Sequence, residues 1–230
     1  MIVDLHSHTG FSRCGADEPE SLVLEMIKKG VDVLGISDHN YGMTDVGYKK
    51  VFDVYTALRD KYKDKIKIYR GIEIATVKGY ELQKAEELPS FDYCLIEHLG
   101  DPDSIMKGDI VGYAETLKIK NKGIAHTDLF GFARNNGLNE KEFIERVANA
   151  GLFWEMNVNY DGIHGYREHE YVKTFMKDER EQRIAKEAGL KISVGFDGHR
   201  LNEYRVDRVV CMNEWLNSNG FNLVTGFDNL

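Results

Sequence analysis

The sequence predicts an α/β fold in which parallel strands, joined by crossover helices, close into a (β/α) barrel of about seven units. Three observations predict it. Short apolar runs alternate with helix-patterned segments along the whole chain, an order that requires parallel strands and helical crossovers. Six of the eight histidines fall at or just beyond the ends of those runs, and strand C-termini form the rim where such barrels keep their active sites. No Gly/Ser-rich linker, low-complexity tract or internal repeat of roughly 20–50 residues divides the chain. One domain over 1–230 is therefore expected.

The elements follow in order. The first apolar run predicts a strand over 2–5, ending in His6 and His8, which share a side because residues i and i+2 of a strand do. Residues 22–27 carry a helical pattern that stops at Gly30. A strand over 33–37 runs into Asp38 and His39. In "YKKVFDVYTALRDKY" the residues Val51, Tyr55, Leu58 and Tyr62 recur at helical spacing. The next strands are expected over 66–74, carrying Glu73, over 93–97, ending in Glu97-His98, and over 123–125, ending at His126. "LNEKEFIERVANAG" offers Asn139 as N-cap, Glu142 three residues on, and Gly151 as a stop. A strand over 152–156 supplies Glu155 and Asn157. Residues 171–188 look helical at both ends, but the polar run 177–183 predicts a break between them. The last expected strand, 191–195, leads to Asp197 and His199, while His164 and His169 fall in a polar loop.

A net charge of −8 argues against general binding to nucleic acid or membrane surfaces. No run approaches the roughly 18 apolar residues of a membrane span, and the N-terminus lacks a signal-peptide pattern. Cys14, Cys94 and Cys211 are odd in number and far apart, which suits a reducing cytoplasm better than a disulfide framework.

Each polar strand end has an ordinary structural explanation: Asp38 as a helix N-cap, His98 or His126 as a hydrogen-bonded histidine, Glu73 as a lysine partner. Those explanations require a coincidence at every strand, whereas one shared metal site explains all the positions together. The motifs "DLHSHT", "ISDHN", "GIEI", "EH", "AH" and "FDGH" resemble those of the PHP (polymerase and histidinol phosphatase) family of metal-dependent phosphoesterases. The resemblance runs from residue 4 to about 200 and implies a distorted seven-stranded barrel with a trinuclear metal centre. It implies a first metal held by His6, His8, Glu73 and Asp197. A second would share Glu73 as a bridging carboxylate and add His98 and His126. A third would use His39, His199 and the residue six places after His8, which is Cys14 where the family usually has histidine or aspartate. A thiolate there would favour zinc over manganese or magnesium. Glu73, Asp197 and His199 are the residues expected to carry catalysis.

Two or three divalent transition-metal ions (zinc, iron or manganese) are thus the expected cofactors, generating a bridging hydroxide that attacks a small phosphomonoester. Asp4 and Asp38, each close to a ligand, are expected to orient imidazoles. Arg167, Arg200 and His164 are candidates for holding the phosphate, and Tyr41, Phe130 and Tyr160 for walling the pocket. The expected partner is a small phosphorylated substrate, with no long nucleic acid and no membrane; no oligomeric state is assigned. The alternatives are a phosphoesterase of nucleotides or short oligonucleotides on the same site, an amidohydrolase, and a metal-binding module without catalysis.

Overall fold

Parallel strands in sequence order form the sheet of the computed structural model, which describes residues 1–82 and 87–227. The order is β1 (Val3–Asp4), α1 (Pro19–Lys28), β2 (Val33–Ile36), α2 (Asn40–Val46), α3 (Tyr48–Tyr62), β3 (Lys67–Ala75) and β4 (Tyr93–Glu97). There follow α4 (Ile110–Thr116), β5 (Lys122–Ile124), α5 (Leu129–Asn135), α6 (Glu140–Asn149) and β6 (Phe153–Asn157). The chain continues with α7 (Glu170–Phe175), α8 (Glu179–Glu187), β7 (Lys191–Gly195), α9 (Val206–Ser218) and β8 (Asn222–Leu223). Each strand pairs in parallel with the next.

All seven expected strands are present, and β8 adds an eighth. Its two residues are too few to carry a period-2 signal. β7 meets β8 only at its start, where Lys191 and Ile192 pair with Asn222 and Leu223. Towards the rim the continuation of β1 takes that place: Leu5 N donates to Val194 O (2.9 Å), Asp197 N to His6 O (2.7 Å) and His8 N to Gly198 O (2.9 Å). The barrel is therefore seven strands around at its functional end. Lower on β1, the Asn213 side chain of α9 stands in for a missing strand. It donates to Val3 O (2.9 Å) and accepts from Val3 N (3.4 Å), so neither backbone group is buried unpaired.

Local signals act as the sequence suggested. Asn139 caps α6 by accepting from Glu142 N, and Gly151 follows it at φ +73°. The polar run 177–183 does hold a break: Asp178 starts α8 by accepting from Arg180 N and Glu181 N.

The apolar residues form two cores. Between sheet and helices lie the outward strand residues with the buried faces of the helices, including Val51, Tyr55, Leu58 and Tyr62 of α3. Inside the barrel, Val3, Leu5, Val33, Tyr69, Tyr93, Leu95, Phe153 and Phe227 pack together. Phe227 closes this inner core from below, stacking on Tyr93 at 4.8 Å. Tyr93 lies across the barrel and donates to Leu5 O (2.7 Å). Gly35 and Gly71 make room for it, because a Cβ at either would fall within 2.2–2.4 Å of its ring or hydroxyl. Phe130, expected at the rim, is instead fully buried in the outer core against Trp154 and Phe175. As the second residue of α5, it turns towards the sheet and away from the opening.

Candidate metal centre

The polar half of the barrel begins where inward positions change from apolar to ionisable. On β3, Tyr69 and Gly71 lead to Glu73; on β4, Tyr93 and Leu95 lead to Glu97; on β6, Phe153 leads to Glu155. Alternate residues of a strand face the same side, so each carboxylate continues an inward row, and all three are buried. His6 and His8 rise from the end of β1, His39 follows β2, His126 follows β5, and Asp197 and His199 follow β7.

Hydrogen bonds decide which ring nitrogens are bare. His6 Nδ1 donates to Glu155 Oε1 (2.7 Å), so in the neutral ring, the form that binds a metal, Nε2 is the acceptor. Ser12 Oγ gives its single proton to Asp38 Oδ1 (2.6 Å). His8 Nδ1 must therefore be the donor to Ser12 Oγ (3.0 Å), and His8 Nε2 is bare as well. The two bare nitrogens lie 3.1 Å apart. Glu73 Oε2 stands 3.2 and 3.3 Å from them, and Asp197 Oδ1 3.5 and 2.9 Å. Four acceptors around one point require positive charge. Two imidazoles with two carboxylates are a donor set that suits zinc and similar ions.

Without a metal, protons supply that charge. Burial pushes His6 down, but Glu155, Glu73 and Asp197 outweigh it and hold the imidazole well above its ordinary pKa. Against the same burial, Glu73, Asp197 and Glu97 raise His126 to about 9. Burial opposes ionisation of Glu73 and Asp197 too, yet the surrounding histidines keep both well below the usual carboxylate range. His8 goes the other way, to about 4, through burial and the nearby His39 and His199. Gly195 makes the His6–Glu155 pair possible: a Cβ there would fall 2.0 Å from Glu155 Oε1 and 2.5 Å from His6 Cβ.

A second group lies outward. Ligand atoms of His8, Cys14, His39 and His199 are all within 4.8 Å of one another. Cys14 is half-buried on the loop between β1 and α1. Burial raises its thiol, but hydrogen bonds with His199 and His39 more than offset this and bring it to about 7. His199 Nδ1 donates to Asp161 Oδ2 (3.3 Å). Asp161 is buried and also accepts from His164 N (3.0 Å) and His164 Nδ1 (2.9 Å). Tyr41 stacks on His39 at 4.7 Å.

Eight of the nine expected ligands thus converge. The ninth, His98, stands apart: its side chain is 43% exposed and its Nε2 lies 3.0 Å from Glu97 Oε2. Asp38 does not touch an imidazole within hydrogen-bonding distance. It accepts from Thr9 N, Thr9 Oγ1, Ser12 N, Ser12 Oγ and the Tyr55 hydroxyl, and so reaches His8 only through Ser12. Asp4 accepts from the backbone N–H groups of His6 (3.0 Å) and Phe196 (3.1 Å), bracing the chain and not a ring. Asp38 is spent on backbone and hydroxyl donors, whereas Asp4 meets backbone N–H groups through Oδ1 alone and its Oδ2 is buried without a partner. Arg167 and Arg200 lie exposed on rim loops, with no described ion pair to the clusters. His164 is closer, with Nε2 3.6 Å from Asp197 Oδ2. All eight histidines, His169 included, form one connected set of rings with centroids 4.5–6.3 Å apart. His98 and Asp197 both adopt left-handed backbone, at φ +63° and +57°, a conformation sparsely populated outside glycine and concentrated at functional sites.

Residues 4–212 match the PHP domain family. The chain belongs to that family. It is accordingly a metal-dependent phosphoesterase, a hydrolase of phosphoric ester bonds, as the strand-end motifs implied. Among solved structures, histidinol phosphate phosphatase from Lactococcus lactis, complexed with zinc, L-histidinol and phosphate, superposes with a TM-score of 0.67 at 17% identity, covering 98% of this chain and 96% of that one. A Listeria monocytogenes protein assigned as a histidinol phosphatase gives a TM-score of 0.51 at 14% identity, covering 87% and 96%. A chain of archaeal ribonuclease P, solved with mature tRNA, gives 0.54 at 13% identity, covering 96% and 83%. At these identities the likeness is one of fold. No curated protein matches the chain significantly.

Three residues of this site escaped sequence reasoning. Glu155 was visible as an acid between the apolar Trp154 and Met156, but its grip on His6 was not. Asp161, in a polar loop, had no periodic signal. Glu97 was overshadowed by its neighbour His98.

Proposed function

We propose that the protein hydrolyses a small phosphomonoester, using two or three divalent cations held by His6, His8, Cys14, His39, Glu73, His126, Asp197 and His199. The observation that carries this reading is the crowding of bare His6 Nε2, bare His8 Nε2, Glu73 Oε2 and Asp197 Oδ1 around one point. Glu73 also reaches outward: Oε2 lies 3.0 Å from His39 Nδ1 and Oε1 lies 3.2 Å from His126 Nε2. A carboxylate with such neighbours is suited to sharing between ions. Bound there, the cations would lower the pKa of a coordinated water and neutralise charge on a phosphate.

The chain's own groups do the rest. Glu155 holds His6 in the tautomer that presents Nε2, and Ser12 does the same for His8. Asp161 holds His199 and His164. His164, half-buried beside Asp197, is placed to meet a phosphate oxygen, and Arg200 follows His199 on the same rim. The basic stretch "RDKYKDKIK" occupies the end of α3 and the start of β3, at the opposite end of the strands from this site. Among the described residues no such stripe lies at the rim to hold a long polymer by many phosphate contacts.

The test is kinetic. Metal-loaded protein should turn over phosphomonoesters faster than dinucleotides and long oligonucleotides, with a shallow salt dependence. Specificity rising with polymer length and falling steeply with salt would overturn the small-substrate reading. Turnover of amides would favour an amidohydrolase. Bound metal without turnover would favour a binding module.

A further inference from the structure

Glu97 and His98 are neighbours in sequence that the fold parts. Glu97 ends β4 on its inward row, beyond Tyr93 and Leu95, and is 2% exposed. Its Oε1 lies 3.1 Å from His39 Nδ1 yet has no hydrogen-bond partner. His39 Nδ1 and Glu73 Oε2, 3.0 Å apart, are likewise buried and unpartnered. Ligand atoms of His39, Glu73 and Glu97 are mutually within 4.8 Å. A buried carboxylate oxygen with no donor is costly, and His39 Nδ1 has at most one proton to offer the two buried oxygens that face it from neighbouring strand ends. A cation among them would satisfy all three at once.

The other oxygen, Glu97 Oε2, lies 3.0 Å from His98 Nε2. His98 leaves the strand direction at φ +63°, and its side chain is 43% exposed. There it lines a cavity of about 440 Å³ together with His126, Asp101, Thr127, Asp128 and Asn135.

We propose that Glu97, in place of His98, is the cation ligand contributed by β4, and that Glu97 Oε2 holds His98 on the wall of this cavity, which would take the substrate. This rests on the cation site proposed above. The consequence is a fourth anionic donor, beside Glu73, Asp197 and Cys14, on a single cluster of ions. His98 becomes free to bind substrate or to pass a proton to the leaving oxygen.

Ion content per chain and the metal-induced rise in Tm, read on the native protein, Glu97→Gln and His98→Gln, separate the roles. Glu97→Gln should lose about one ion per chain and much of the Tm rise. His98→Gln should keep the native ion content and Tm rise while lowering kcat/KM for phosphomonoesters. Loss of an ion from His98→Gln, or native content in Glu97→Gln, overturns the inference. Glu97→Asp guards against a folding artefact: it retains the carboxylate, so excess metal should restore its ion content. If excess metal cannot restore the ion content of a folded Glu97→Asp, the inference fails. Native protein holding less than about one ion would instead overturn the cation site itself.

Discussion

The inner and outer halves of the site hold their side chains in different ways. In the inner half, His6, Glu73 and Asp197 sit on strand ends, fully or almost fully buried, and are fixed by the hydrogen bonds that close the barrel. In the outer half, Cys14 rides on an irregular loop, half-buried, and Asp38 pins that loop through Thr9 and Ser12. Donors on strand ends cannot move without moving the barrel, whereas a loop donor can be exchanged at little cost to the fold. Catalytic necessity should therefore concentrate inside, and metal preference outside.

The largest effect should come from Glu73→Ala, which removes the carboxylate that stands 3.0–3.3 Å from His6, His8, His39 and His126 alike. Two ions should leave together, and phosphoesterase activity should fall by roughly 10³-fold or more. Elemental analysis beside a kinetic assay checks both; loss of a single ion would show that Glu73 is not shared.

Glu155→Gln should come next. It removes a charged acceptor from His6 Nδ1 while keeping the shape of the side chain, and should weaken metal affinity by about 10- to 100-fold. Gly195→Ala, which forces the same pair apart by overlap, should act in the same direction. Titration of the stripped proteins with zinc compares the three; unchanged affinity in both variants would show that the His6–Glu155 bond has no part in binding.

The division between strand and loop also marks what the sequence could show. Period-2 runs ending in His6, His8, His39, His126, Asp197 and His199 were legible because a strand fixes where its next residue goes. Glu97 obeyed the same period, two residues beyond Leu95 on the inward row, but a histidine beside it drew the assignment. The left-handed backbone at His98 has no glycine to announce it. Asp161 and His169 were illegible because a loop's path depends on what it packs against. Asp4 and Asp38 were recognised as important from adjacency, yet they act on backbone and hydroxyl groups, a choice set by distances that only the fold supplies. β8 was too short to show, and its strand partner β7 was already complete as a pattern.

A smaller effect is expected from His39→Ala, which should reduce ion content by about one while leaving the inner ion in place. Anomalous scattering from crystals of the metal-loaded variant would locate what remains; loss of every ion would make the two halves one cooperative site. Smallest of all should be Cys14→Asp, which exchanges a soft donor for a hard one. The barrel should fold with its native Tm in the metal-free state, and the preference should shift from zinc towards manganese. An unchanged metal profile with full activity would remove Cys14 from the site.

The most direct measurement is the ion content of the native chain. Protein purified without chelator, or stripped and reloaded with zinc or manganese, should hold about two or three ions per chain by elemental analysis. Fewer than about one ion, with no gain on reloading, would contradict the metal centre on which the proposed chemistry depends.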